Sequence, residues 1–301
     1  MKKDIRPFIV AVGEVLWDVF PTGAHLGGAP ANFAVHCAGL GARAALVSGV
    51  GDDGLGCQAL LALSGHGVDT SWVQVNNNHP TGTVPVTVVD GQPSYEIVED
   101  VAWDHMVWQE DFEALAKMAN AICFGSLAQR SPQSRETIQR FVDAKRQDCL
   151  CVLDVNFRQH YHCAEVVLQS LALANVIKLN EDEVAQLRLY VGGAKDRDVF
   201  LNELVTRFNL DWVVLTLGAD GCCVFGANEV ISVPGTAQDV VNTVGAGDAF
   251  TAAFVSHYLN GEEVVLCAQY ANTLGGYVTT QESGTPHLPQ DFSIWSTHAN
   301  T

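Results

Sequence analysis

Basic residues are scarce in this chain. Its 301 residues hold 16 Lys and Arg against 34 Asp and Glu, a net charge of −18. Nucleic acids and anionic membranes are bound through cationic contacts, so a surface of this sign repels both, and neither is an expected partner. A phosphorylated ligand remains open, because it needs only a locally positive pocket. Apolar runs long enough to span a bilayer are also missing. The N-terminal MKKDIRPFIVAVGEVLWDVF turns from basic to apolar, but the apolar run is short and Glu14 and Asp18 follow it. It reads as a first strand rather than a secretion signal, which makes the expected location cytoplasmic. No C-x-x-C pair occurs among the nine cysteines, and Cys222–Cys223 sit in an apolar, strand-like run. Reduced, mostly buried thiols are expected. Internal repeats and low-complexity segments are absent as well.

Core material is plentiful: 48% of residues are hydrophobic and 17% charged. That suits one large α/β domain with an appendage, or two ordinary domains. Strand-like and helix-like patterns alternate. A strand is expected at 8–19, a small-residue helix at 30–41, a strand at 44–51 and a helix at 55–67. The rhythm resumes with strands at 120–126, 149–156, 175–180 and 212–218, and helices at 133–147, 164–174, 181–192, 201–210, 245–261 and 262–280. Buried strands alternating with helices predict an α/β fold with a doubly wound, mostly parallel sheet, taken as a single domain over 1–301. In such sheets ligands bind beyond the carboxyl ends of the strands. One stretch breaks the pattern. Residues 81–100 hold two alternating β runs around Asp90-Gly91 with no helix between them, a hairpin signal. It predicts a small antiparallel lid. The tail after Ser283, with Pro286 and Pro289, reads as an irregular wrap.

Two glycine-rich turns compete for the chemistry. GVGDDG at 49–54 fits G-x-G-x-x-G between a strand and a helix, with Asp69 downstream where a ribose-binding acid would stand. This is the dinucleotide-binding pattern of a dehydrogenase. Asp52 and Asp53, however, occupy the helix entrance where a pyrophosphate would have to sit, and would cap the helix themselves. The other turn is NTVGAGDAF at 242–250. Gly245, Ala246 and Gly247 offer consecutive N–H groups free of bulk, and a helix runs on from Asp248. Such a turn suits an anion that gains charge during reaction. Taken alone, Asp248 could equally be a plain cap. His160, His162 and Cys163 in RQHYHC lack a partner cluster at metal spacing and read as a loop.

Two long motifs decide between these turns. GGAPANFAVHCAGLGARAALVSGVGDDGLG (27–56) and NTVGAGDAF resemble the N- and C-terminal signatures of the ribokinase-like sugar kinases, the phosphofructokinase-B family. LDVNFR (153–158), KLNEDE (178–183) and LTLGADG (215–221) lie between them in the family's order. The resemblance implies transfer of the ATP γ-phosphoryl group to a sugar hydroxyl, with Mg²⁺. It makes Asp248 the catalytic base and the amides of Gly245, Ala246 and Gly247 the anion hole. It places the sugar against Asp18, Gly27, Gly28, Asn32 and Arg158, and the nucleotide against Asn180, Thr216, Gly218, Gly221 and Asn272. Glu183 would reach Mg²⁺ through water. The lid, from about 17–26 and 81–100, would close over the site, and such lids pair in homodimers. GEVLWD (13–18), D-x-N-x-R (154–158) and FGSL (124–127) are most similar to bacterial fructokinases, while 2-keto-3-deoxygluconate kinases and ribokinases share much of the pattern. A degenerate, non-catalytic sugar-binding protein would have lost Asp248, which is present. Asn242 departs from the family's usual Asp beside a monovalent-cation site. It removes a full charge, so weak dependence on K⁺ is expected.

Overall fold

A computed structural model describes residues 6–20, 23–89 and 92–295. Its large sheet runs Val230–Pro234, Gly221–Phe225, Trp212–Thr216, Val176–Asn180, Leu150–Asp154, Ala121–Gly125, Phe8–Val12, Arg43–Gly51, Val68–Asp69, with Val73–Asn76 also pairing on Arg43–Gly51. Pairing is parallel from Trp212–Thr216 to Val68–Asp69 and antiparallel only at the Val230–Pro234 edge. Strands buried on both faces favour apolar residues at every position, which is why Phe8–Val12 is an unbroken apolar run and Leu150–Asp154 is one up to its closing acid. Along Phe8–Val12, Val10 and Val12 point into one core layer and Ile9 and Ala11 into the other.

After Phe8–Val12 the chain goes to Arg43–Gly51 on one side and later returns to Ala121–Gly125 on the other. That change of direction opens a crevice at the carboxyl ends of these strands. Between the two visits lies a separate four-stranded sheet, ordered Gly23–Gly27, Leu16–Phe20, Gly82–Val89, Gln92–Tyr95. Its two outer pairings are antiparallel and its central one parallel, because Leu16–Phe20 and Gly82–Val89 leave the body in the same direction. Two residues separate the last pairing, Val89 with Gln92, as the hairpin signal requires. The Asp90-Gly91 turn itself lies outside the described residues.

The stretch at 8–19, expected as one strand, is two strands in different sheets. The break falls at Gly13, whose φ of +149° takes the chain out of the large sheet. The GVGDDG reading resolves as a cap. Asp53 heads the helix Gly54–Gly65, accepting from the Gly56 N–H at 2.7 Å and from the Thr81 N–H and hydroxyl at 2.8 and 2.7 Å. Its carboxylate fills the place a pyrophosphate would need. The tail beyond Ser283 does wrap the body: Leu288, Phe292, Ile294 and Trp295 pack on the core, and the Ile294 N–H donates to the Leu40 carbonyl at 2.9 Å. Among the described residues no helix is long and apolar enough to cross a membrane.

Candidate active site

The crevice and the inner face of the small sheet enclose a cleft of about 900 Å³. Asp248 stands in its floor, in the first turn of the helix Ala246–Leu259. Gly245 precedes that helix in the left-handed conformation, φ +78°, where a Cβ would run into the Gly284 carbonyl oxygen. Gly245 and Gly247 line the cleft, and the first-turn amides have no acceptor within the helix. Ala246 does not line it; its N–H turns back toward the Thr243 carbonyl at 3.4 Å.

Asp248 is held by its neighbours. Asn32, buried in the helix Ala29–Gly39, donates from Nδ2 to Asp248 Oδ2 at 2.8 Å. Removal from water raises the Asp248 carboxyl to about 7; the charge of Asp154 adds to that, while the Asn32 hydrogen bond and the Lys178 and Arg158 charges oppose it. A carboxyl balanced near neutrality can take and return a proton. Lys178 is the residue the sequence reading passed over. It sits directly opposite Asp154 in the register between adjacent parallel strands, with Nζ 3.2 Å from both Asp154 carboxylate oxygens. Both side chains are buried. Burial pulls the Lys178 ammonium down, but Asp154, Glu183 and Asp248 outweigh it and hold the group above its ordinary value. A Cβ on Gly247 would lie 3.0 Å from Lys178 Nζ, so this glycine admits the ammonium beneath the turn. Thr251 completes the corner, donating to the Gly247 carbonyl at 2.9 Å with its hydroxyl 3.4 Å from Asp154.

Toward the small sheet, Asp18, Gly28, Asn32 and Arg158 line the cleft together. Gly28 caps the helix Ala29–Gly39, and Gly27 ends its strand against the Asp18 carboxylate. Burial raises the Asp18 carboxyl, against the opposing charges of Arg158 and His25. Arg158 is exposed, on a loop where Asn156 and Gln159 both have positive φ. That loop is tied to the small sheet's return segment by Gln159 Nε2 on the Tyr95 carbonyl, 2.8 Å, and the Tyr161 hydroxyl on Glu99, 2.8 Å. Of the RQHYHC histidines, His162 pairs with the Tyr190 hydroxyl at 2.7 Å and the Gln159 carbonyl at 3.0 Å, as in a closed loop. Glu14 was also passed over. It is buried in the cleft wall, with Oε2 lacking a partner among the described residues, and burial raises its carboxyl.

The residues expected around a nucleotide lie on the far side of Asp248, along Val176–Asn180, Trp212–Thr216 and Gly221–Phe225. Asn180 lines the cleft. Thr216, Gly218 and Gly221 form the end of one strand and the turn into the next, outside the enclosed cleft. Asn272 ties its helix to the edge strand through the Val233 and Pro234 carbonyls, both 3.3 Å away. Glu183 does not line the cleft directly. It is buried behind the cleft wall, accepting from the Asn180 N–H at 2.8 Å and the Phe157 N–H at 3.1 Å, while Asn180 Oδ1 accepts from its own N–H at 3.0 Å. Both carboxylate oxygens thus fix backbone. Asn242 donates to the Glu282 carbonyl at 3.0 Å and accepts from the Val244 N–H at 3.0 Å.

Residues 8–291 match the family described as pfkB family carbohydrate kinase. The chain belongs to that family. Among curated relatives of this family member, a sugar kinase of Pyrococcus horikoshii is 29% identical, covering 94% of this chain and 93% of its own. Its structure in complex with ATP superposes with a TM-score of 0.80 at 28% identity, over 92% and 94% of the two chains. An ATP-dependent 6-phosphofructokinase of Thermoanaerobacterium thermosaccharolyticum is 29% identical over 84% and 82%. Fructokinase-1 of Zea mays is 27% identical over 96% and 97%. Family membership makes the chain a carbohydrate kinase and sets aside the dinucleotide reading of GVGDDG.

Proposed function

We propose that this carbohydrate kinase transfers the γ-phosphoryl group of ATP to a hydroxyl of fructose in the cleft around Asp248. The observation that carries the reading is the junction of four features at one point: a half-buried carboxyl balanced near neutrality, its Asn32 donor, the Gly245–Gly247 turn and the buried Lys178 ammonium. Bound MgATP supplies the phosphoryl group and screens its charge. The protein's part is placement and a proton. Asp248 accepts the proton of the attacking hydroxyl, and Asn32 holds the carboxylate toward it. The Gly245 and Gly247 amides face the transferred oxygens, with Lys178 below them adding positive potential. Asp18, Gly27, Gly28 and Arg158 hold the sugar, and Asn180, Thr216, Gly218, Gly221 and Asn272 border the nucleotide. Glu183 shapes the Asn180 turn and would act on Mg²⁺ only through water.

The small sheet acts as the lid, excluding water that would otherwise compete as acceptor. Pairing of two lids in a homodimer belongs to the same reading. A panel of acceptors with ATP tests it: fructose is expected to give the highest kcat/KM, above ribose, 2-keto-3-deoxygluconate and fructose 6-phosphate. An acidic or phosphorylated acceptor at the top would assign Arg158 to an anion and replace fructose.

Two conditions follow from the geometry. Only ionised Asp248 can take the proton, so kcat/KM is expected to fall about tenfold per pH unit below about 7. A rate flat from pH 8 to pH 5 would exclude Asp248 as the base. K⁺ is expected to matter little. The Asn242 amide already donates to the Glu282 carbonyl, which a cation would otherwise approach, and brings no negative charge. Exchanging K⁺ for a large organic cation at equal ionic strength is expected to preserve turnover; collapse would overturn the expectation.

A further inference from the structure

The sequence offered one poor metal candidate, at 160–163. The structure assembles a different one from residues far apart in the chain. Asp100 Oδ1 lies 3.2 Å from His79 Nδ1 and 2.7 Å from His105 Nε2. All three donor atoms fall within 4.8 Å of one another. The two histidines are mostly buried, with side chains 25% and 27% exposed, while Asp100 faces solvent. Their loops are fixed from outside the cluster. Asn76 Oδ1 accepts from the His79 N–H at 3.1 Å, the Ala102 N–H donates to the Pro80 carbonyl at 2.8 Å, and Gln133 Nε2 donates to the His105 carbonyl at 3.2 Å. Asp100 is one of four non-glycine residues with positive φ among those described, at +59°, which turns its carboxylate back onto the rings. Beside the cluster is a hollow of about 410 Å³, bordered by Asn76, Asn78, Ala102 and Gln133, with room for water on an open coordination position.

We infer that His79, Asp100 and His105 form a binding site for one Zn²⁺-class divalent transition metal, joining the two stems of the small sheet. Two imidazoles and a carboxylate are a donor set for Zn²⁺, Co²⁺, Ni²⁺ or Cu²⁺; Mg²⁺ and Ca²⁺ favour oxygen alone. A tetrahedral ion with bonds of about 2.0–2.1 Å spaces its ligand atoms about 3.3 Å apart, so the His79–Asp100 separation of 3.2 Å already fits and the His105–Asp100 hydrogen bond of 2.7 Å must open slightly. The histidine rings are stacked, 3.5 Å between centroids and 13° between planes. Binding requires them to fan apart about their Cβ–Cγ bonds so that their lone pairs converge. The location sets the consequence. His79 leads into the strand Gly82–Val89, and Asp100 and His105 follow the return strand Gln92–Tyr95. An ion held by all three fastens the point where the small sheet leaves the body to the point where it returns. The site stands apart from the kinase cleft, so its test is independent of the proposed reaction.

The untagged full chain is titrated with Co²⁺ in a buffer free of nucleotide. One equivalent is expected to develop visible d–d absorption of a four- or five-coordinate ion, displaced by Zn²⁺. His79→Gln and His105→Gln are each expected to weaken binding by about tenfold or more. Zn²⁺ is expected to raise Tm for the wild-type chain and not for the double variant. Metal-free wild type and variants are expected to share one Tm and one kcat, which shows that the variants fold. Wild-type absorption no stronger than that of the double variant, or undiminished affinity in the variants, would overturn the site and place any bound ion elsewhere.

Discussion

Asp248→Asn is expected to lower kcat by about 10²- to 10⁴-fold, the usual contribution of a positioned general base. Acceptor and nucleotide are expected to bind nearly as before. The substitution keeps the shape of the side chain, and an Asn carbonyl can still accept from Asn32 Nδ2, now 2.8 Å from the carboxylate. What disappears is the capacity to hold a proton. Calorimetric binding together with a coupled turnover assay separates the two effects. Retention of more than a tenth of wild-type turnover would remove Asp248 from the reaction and leave it a structural partner of Asn32.

Lys178→Met is expected to be the most destabilising change in the cleft, at about 3–5 kcal/mol, the range for stranding one member of a buried ion pair. Asp154 would be left in the interior without the ammonium now 3.2 Å away. Adding Asp154→Asn is expected to restore most of the stability and little of the activity, because the positive potential under Gly247 is still missing. Urea unfolding reads the first effect and kcat the second. The single variant also removes a charge that holds the Asp248 carboxyl down, so its acid limb is expected to shift upward in pH. A loss below about 1 kcal/mol would mean that solvent reaches Asp154 and carries the pair's work.

The alternation of strands and helices was legible because the buried strands are almost wholly apolar and several helices end in a glycine turn. NTVGAGDAF was legible because every feature it needs is local. Lys178 was not. A single lysine inside an apolar strand gains meaning only from Asp154, its neighbour across the sheet and 24 residues earlier in sequence. The break at Gly13 was hidden for the opposite reason, since both halves of 8–19 have strand character and only the fold sends them to different sheets. For Glu183, the reciprocal bonding with Asn180 is legible as the N-x-x-E spacing of a capping box, whereas the Phe157 N–H it also accepts from stands 26 residues earlier and depends on the tertiary fold.

Asp53, which ends the dinucleotide reading, also couples two parts of the molecule. One carboxylate holds the start of the helix Gly54–Gly65 and, through both Thr81 donors, the root of the strand Gly82–Val89. Helix and root therefore travel as one piece. The GVGDDG corner is thus a shared anchor, one acid clamping a helix of the body to the first stem of the small sheet.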